Sequence, residues 1–136
     1  MMGATFEELD HTADWALRLQ GKDMGELCLH GAFGMLAACG ARPAPGPTAE
    51  RRVSIQAGNR EILLVRWLQE VLYVLEVHHV LPQHMDIQVS QDLTLSARWQ
   101  EVPLAGIDKP IKAVTYSGLA VQETKDGLEA TVVFDV

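Results

Sequence analysis

The sequence is short of cysteine, of basic charge and of uninterrupted apolar stretches. Only two cysteines occur in 136 residues, Cys28 and Cys39. Both fall within one predicted helix, which separates them by roughly 16 Å, far beyond disulfide reach. A disulfide framework is therefore excluded, and two buried free thiols in a cytoplasmic protein are expected. Eleven Lys and Arg stand against eighteen Asp and Glu, a net charge of -7. Gripping nucleic acid through its phosphates needs a basic surface, so stable nucleic-acid binding by this chain is not expected. The balance suits a protein partner or a cation. Arg66, Gln69, Glu70 and Glu76 break the longest apolar stretch, Ile62 to Val77, so no membrane span is expected. The opening Met-Met-Gly-Ala-Thr has neither the basic nor the apolar part of a signal peptide. Neither a Gly-x-Ser-x-Gly stretch nor an evident catalytic Cys-His pair is present.

What is there reads as one domain over residues 1–136, with 48% apolar and 21% charged residues. Trp15, Leu17 and Leu19 alternate with Ala16, Arg18 and Gln20, which predicts a half-buried strand ending near Gly21. Asp23 caps a following helix, with Glu26 completing a capping box and Gly40 stopping it. Met24, Leu27, Cys28, Ala32, Met35 and Cys39 form its apolar stripe. His30 is expected on the opposite side, so Cys28, His30 and Cys39 are not read as a metal site. Residues 42–48 form a rigid connector rich in proline. Arg51 to Ala57 reads as a strand, with Val53, Ile55 and Ala57 on one face.

Asn59 caps a second helix running to about His78. Its polar residues, Arg66, Gln69, Glu70, Tyr73 and Glu76, occupy one narrow stripe. Beyond Arg60 and Glu61 of its first turn the rest is Ile, Leu, Val and Trp67, so it is expected to be the central core helix with Trp67 inside. His78, His79 and His84 cluster near its end, where Pro82 is expected to terminate the element; no cysteine accompanies them as a metal ligand. From Met85 onward the pattern is all strand. Residues 86–90 and 93–99 form a hairpin. Residues 111–116 follow a polar loop, and 119–124 pair with 128–134 across Lys125-Asp126-Gly127, a strong hairpin signal. The expected fold is α+β, two main helices packed on mostly antiparallel sheet.

Two stretches carry chemistry. Phe6 to Asp14, Phe-Glu-Glu-Leu-Asp-His-Thr-Ala-Asp, places Asp10, His11 and Asp14 where a loop enters a strand. Turn chemistry alone explains Asp10 and Thr12. At the other end, Asp135 and the Val136 carboxylate are one residue apart. If Asp14 lies alongside, three anionic ligands converge, an all-oxygen set of the kind hard divalent cations prefer. Without a cation these charges repel one another.

These stretches, with Ile-Lys-Ala-Val-Thr-Tyr at 111–116 and Val-Val-Phe-Asp-Val at 132–136, resemble the archease family over the whole chain. Trp67 to Tyr73 is similar to that family's central helix. Three positions depart from the pattern: Ser117 stands where His is common, Leu128 where Trp is frequent, and Trp15 where a smaller aliphatic residue is usual. The resemblance implies an archease-type single α+β domain. It also implies a function, that of a non-catalytic protein activating an RtcB-type RNA ligase in tRNA splicing. Such a protein promotes the ligase–guanylate intermediate and sustains turnover. It further implies a divalent cation, calcium first with magnesium or manganese as alternatives, held by Asp14, Asp135 and Val136. Lys112 is implied as a functional residue near that site. His11 belongs to the same motif, and a structural hydrogen-bonding role fits it better than ligation. Two other classes stand beside this reading: a small metal-dependent hydrolase, and a metal-free chaperone-like binding module.

Overall fold

A computed structural model describes residues 5–9 and 14–136. In order, the elements are β1 (Phe6–Leu9), β2 (Asp14–Gly21), α1 (Met24–Cys39), β3 (Arg42–Pro43), β4 (Ala49–Gln56) and α2 (Arg60–Val77). Then come β5 (Val80–Val89), β6 (Thr94–Gly106), β7 (Ala113–Thr115), β8 (Gln122–Thr124) and β9 (Gly127–Asp135). Every strand pairing is antiparallel. One sheet runs β1-β2-β9-β7, with β8 also on β9; in the other, β3, β4 and β5 all pair with β6. The fold is α+β, as the sequence implied.

The helices are fixed at their ends by local chemistry. The Asp23 carboxylate accepts the Glu26 amide at 2.9 Å, and Glu26 accepts the Lys22 amide at 3.0 Å. Gly40 ends α1 in the left-handed region, φ 66°, where a side chain would also strike Asp108. Asn59 accepts the Ile62 amide at 2.8 Å to start α2.

Both helices lie between the two sheets. Leu63, Leu64, Val65, Trp67, Leu68, Val71, Val74 and Leu75 of α2 are fully buried, while Arg66, Gln69, Tyr73 and Glu76 remain exposed. The narrow polar stripe is thus the one lateral strip the sheets leave open. Trp67 packs edge-on against Trp99 of β6, centroids 5.7 Å apart, and its indole N–H donates to the Cys28 carbonyl at 2.8 Å. Two α1 glycines let the helix approach its neighbours closely. A Cβ on Gly31 would sit 3.2 Å from both Leu19 of β2 and Leu68 of α2; one on Gly34 would meet Phe6 and Leu17.

Several expectations change. His30 is buried rather than on an open face, because its Nδ1–H donates to the Gln20 carbonyl of β2. Ala16 is fully buried although it faces away from Leu17. The reason is position: β2 is internal, with β1 on one side and β9 on the other. Phe6–Leu9 is a strand, since Glu7 pairs with Arg18 across the ladder at 3.0 Å. Pro82 lies inside β5 and does not end the element; among the described residues β5 pairs only with β6, where a missing N–H is tolerated. Arg42 and Pro43, within the predicted connector, pair with β6, which itself runs on to Gly106. Strands predicted over 111–116 and 119–124 shrink to three residues each.

The glycine contacts predict an asymmetry. Gly31→Val overpacks the helix–sheet interface and lowers stability by about 1–3 kcal/mol. Gly58→Ala, with open space around it, changes stability by no more than about 0.5 kcal/mol. Urea unfolding of the two variants measures both; equal effects would contradict this packing.

Candidate functional site

Strand register brings the two acidic residues together. In the β2–β9 ladder Asp14 lies directly opposite Asp135, and Asp135 is flanked on its other side by Ala113 of β7. Directly opposed residues project from the same face of a sheet, with Cβ atoms about 4.5–5.5 Å apart. Asp14 is half-buried and Asp135 exposed. Neither forms an ion pair among the described residues. Like charges so placed destabilise the ladder unless something positive lies between them.

The neighbours are placed by backbone bonds. The Lys112 amide donates to the Asp135 carbonyl at 2.7 Å, which fixes the exposed Lys112 beside the acidic pair. Thr115 Oγ1 donates to the Val133 carbonyl at 2.9 Å, holding β7 against β9. Val136, half-buried, packs on the core one residue beyond Asp135. Ser117, in place of a common His, is exposed, and its amide donates to Thr115 Oγ1. Asp10 and His11 lie outside the described residues.

The helices add field to this end of the sheet. Leu27, Gly31 and Gly34 of α1 successively meet Gly21, Leu19 and Leu17, so α1 runs back along β2 toward Asp14. The Cys39 carbonyl at its end accepts the amides of Asp108 and Lys109, both at 3.0 Å. Lys109 in turn sits 5.6 Å over the Trp15 ring, next to Asp14. α2 starts at the opposite end, where Glu61 accepts the Val121 amide and Arg60 pairs with Glu123 near the β8–β9 turn. Both helices therefore point their negative C-terminal ends toward the Asp14–Asp135 end, and neither has a basic residue in its last turn.

The donor set fits a hard divalent cation. Asp14 and Asp135 supply carboxylate oxygens, the donors such ions prefer. Among the described residues no group of three or more His, Cys, Asp and Glu side chains gathers for a metal, so the acidic pair needs a further oxygen donor. The other candidates disperse. His78 caps α2 and stacks edge-on against Tyr73, while His79 and His84 occupy positive-φ positions at 55° and 54°. Cys28 and Cys39 are free and buried; burial pushes the Cys28 thiol up to about 12 and raises Cys39 as well.

Comparison with known proteins agrees with this arrangement of strands. The archease protein family (MTH1598/TM1083) matches residues 6–136. An archease of Methanosarcina barkeri is 32% identical over 143 residues, covering 98% of this chain and 97% of its own length. One from Saccharolobus islandicus is 28% identical, covering 97% and 99%. The chain belongs to the archease family. Its fold matches the solution structure of Methanobacterium thermoautotrophicum protein 1598, with TM-score 0.68, 24% identity and coverage of 97% and 99%. It also matches the crystal structure of a Thermotoga maritima archease, described as a possible chaperone, with TM-score 0.71, 20% identity and coverage of 99% and 100%.

Two measurements check the geometry. In EDTA, Asp135→Asn relieves the repulsion with Asp14 and raises stability by about 0.2–1 kcal/mol. Unfolding curves in which the variant is no more stable than the wild type would contradict the pairing. At pH 8, iodoacetamide leaves Cys28 and Cys39 unlabelled in the folded protein and labels both in urea, as mass spectrometry reads directly.

Proposed function

We propose that this protein is a cytoplasmic, non-catalytic activator of an RtcB-type RNA ligase, acting in tRNA splicing or RNA repair. Family membership over the full domain supports the reading. The observation that carries it is the opposition of Asp14 and Asp135, two carboxylates on one sheet face at the end toward which both helix C-termini point. In this reading Asp14, Asp135 and the Val136 carboxylate hold a divalent cation, calcium first and magnesium or manganese as alternatives. When bound, the cation offsets charge as nucleotide phosphates approach the ligase's guanylylation site.

Each residue then has a distinct part. Asp14 and Asp135 present the cation on an exposed sheet end that can enter a partner's cleft. Lys112, held beside Asp135 by its amide, offers a positive contact to a phosphate or to an acidic group of the ligase. His11 is assigned a structural hydrogen-bonding role rather than ligation. RNA stays with the ligase, because a protein of net charge -7 repels a polyanion. A second reading, a metal-free chaperone-like module, has the description of the Thermotoga relative in its favour. The acidic pair favours the cation-dependent reading over it.

The test is RNA ligation with limiting ligase from the same organism, scored as turnovers per ligase. The protein raises turnover, and Asp14→Ala, Asp135→Ala and Lys112→Ala each remove most of the gain. A chaperone-like module would keep its effect in all three variants. Equal turnover with and without the wild-type protein would overturn the proposal.

A further inference from the structure

Strand edges expose unpaired backbone donors and acceptors, and folded proteins blunt them by shortness, bulges, proline or charge. The edges here are unequal. β1 has four residues, β7 and β8 three each, and β3 two. β5 contains Pro82 and is broken by a register shift between Gln83 and Asp86, with His84 at φ 54°. β4 is different. It is eight residues long and pairs with β6 without interruption from Ala49↔Glu101 to Gln56↔Thr94. Among the described residues no strand pairs its other side, and the Arg66 side chain reaches only the terminal Gln56 carbonyl, at 2.9 Å.

The flank of this edge is also open. The lateral strip of α2 exposes Tyr73 at 49% and Val77 at 53%, four residues apart on one face of the helix. Tyr73 and Glu70 both lie within electrostatic range of Arg51 on β4. An aromatic shelf thus borders a straight, regular edge.

We infer that β4 accepts an extended segment of a partner protein by strand addition, and that this segment carries a carboxylate opposite Arg52. The charge on β4 selects the occupant. Arg51 is already held by Glu101. Arg52 has a side chain 74% exposed, and among the described residues its ion-pair partner is the exposed Glu50, a pair of little strength that an incoming carboxylate replaces. Main-chain bonds to the edge give affinity and the Arg52–carboxylate contact sets register. A second copy of this chain fits less well, since it sets its Glu50 opposite Arg52 only by opposing the two Arg51 side chains, and it adds a second charge of -7. The inference stands independently of the cation site.

The probes are acetylated, amidated octapeptides of alternating Thr and Val, each with one Glu moved through the eight positions. They are titrated into the full chain by fluorescence anisotropy and amide chemical shifts. At least one binds saturably and shifts β4 amides, not those of β5. N-methylating one alternate set of its amides weakens binding more than about tenfold, while methylating the other set changes it little, since only one edge of an added strand bonds the sheet. Arg52→Glu switches preference to the Lys-bearing counterpart. Failure of the whole panel to saturate, or equal loss from both methylation patterns, would overturn the proposal. So would light scattering that shows a dimer dissolved by Arg52→Glu, which would make a second copy the occupant.

Discussion

The apolar girth of α2 is the constraint on which the rest of the structure depends. A helix with one polar strip and apolar residues all around the remainder cannot be covered by a single sheet face. Here one sheet covers it through Trp99 and its neighbours, the other packs from the far side, and α1 closes against it through Gly31 and the Trp67–Cys28 hydrogen bond. Each large side chain so buried contributes about 1.5–3 kcal/mol. Two sheets around two helices leave the sheet ends and edges, not their inner faces, as the places where polar chemistry is exposed.

That arrangement explains where the acidic pair sits. β2 and β9 are internal strands of one sheet, locked in register by Leu17 against Val132 and Leu19 against Ala130 on the core side. A slip of one residue would turn those side chains to solvent, so burial holds Asp14 opposite Asp135 as firmly as it holds the core. The electrostatic cost of opposing two carboxylates is borne by packing made elsewhere in the ladder. The same direction of travel of α1 and α2 adds their C-terminal field to that end.

Much of this was legible in the sequence because local signals and the global fold agree. Asp23, Asn59 and Gly40 marked the helix ends, Asp126-Gly127 marked the last hairpin, and the polar strip of α2 named the buried helix. What escaped depends on long-range pairing. β1 is too short to alternate visibly, and its existence rests on β2 beside it. Ala16 and His30 are buried by neighbours distant in sequence or on another element. Pro82 reads as a stop, but its place on a strand with a single pairing partner excuses the missing N–H. For the site, Asp14 and Asp135 stood out by residue type and by family resemblance. Their opposition came from the register of the ladder, which a single sequence does not print. The open edge of β4 was not legible, because only the topology shows which strands lack a second partner.

In the proposed reading, the β2–β9 register brings Asp14 and Asp135 together as two ligands of one cation. Crystals grown in millimolar manganese test it most directly, since the ion's anomalous signal locates it independently of any assumed ligand. The account predicts one strong peak between Asp14 and Asp135, bonded to a carboxylate oxygen of each at about 2.0–2.6 Å. Manganese bound elsewhere, with the two carboxylates turned apart and no peak between them, would contradict it.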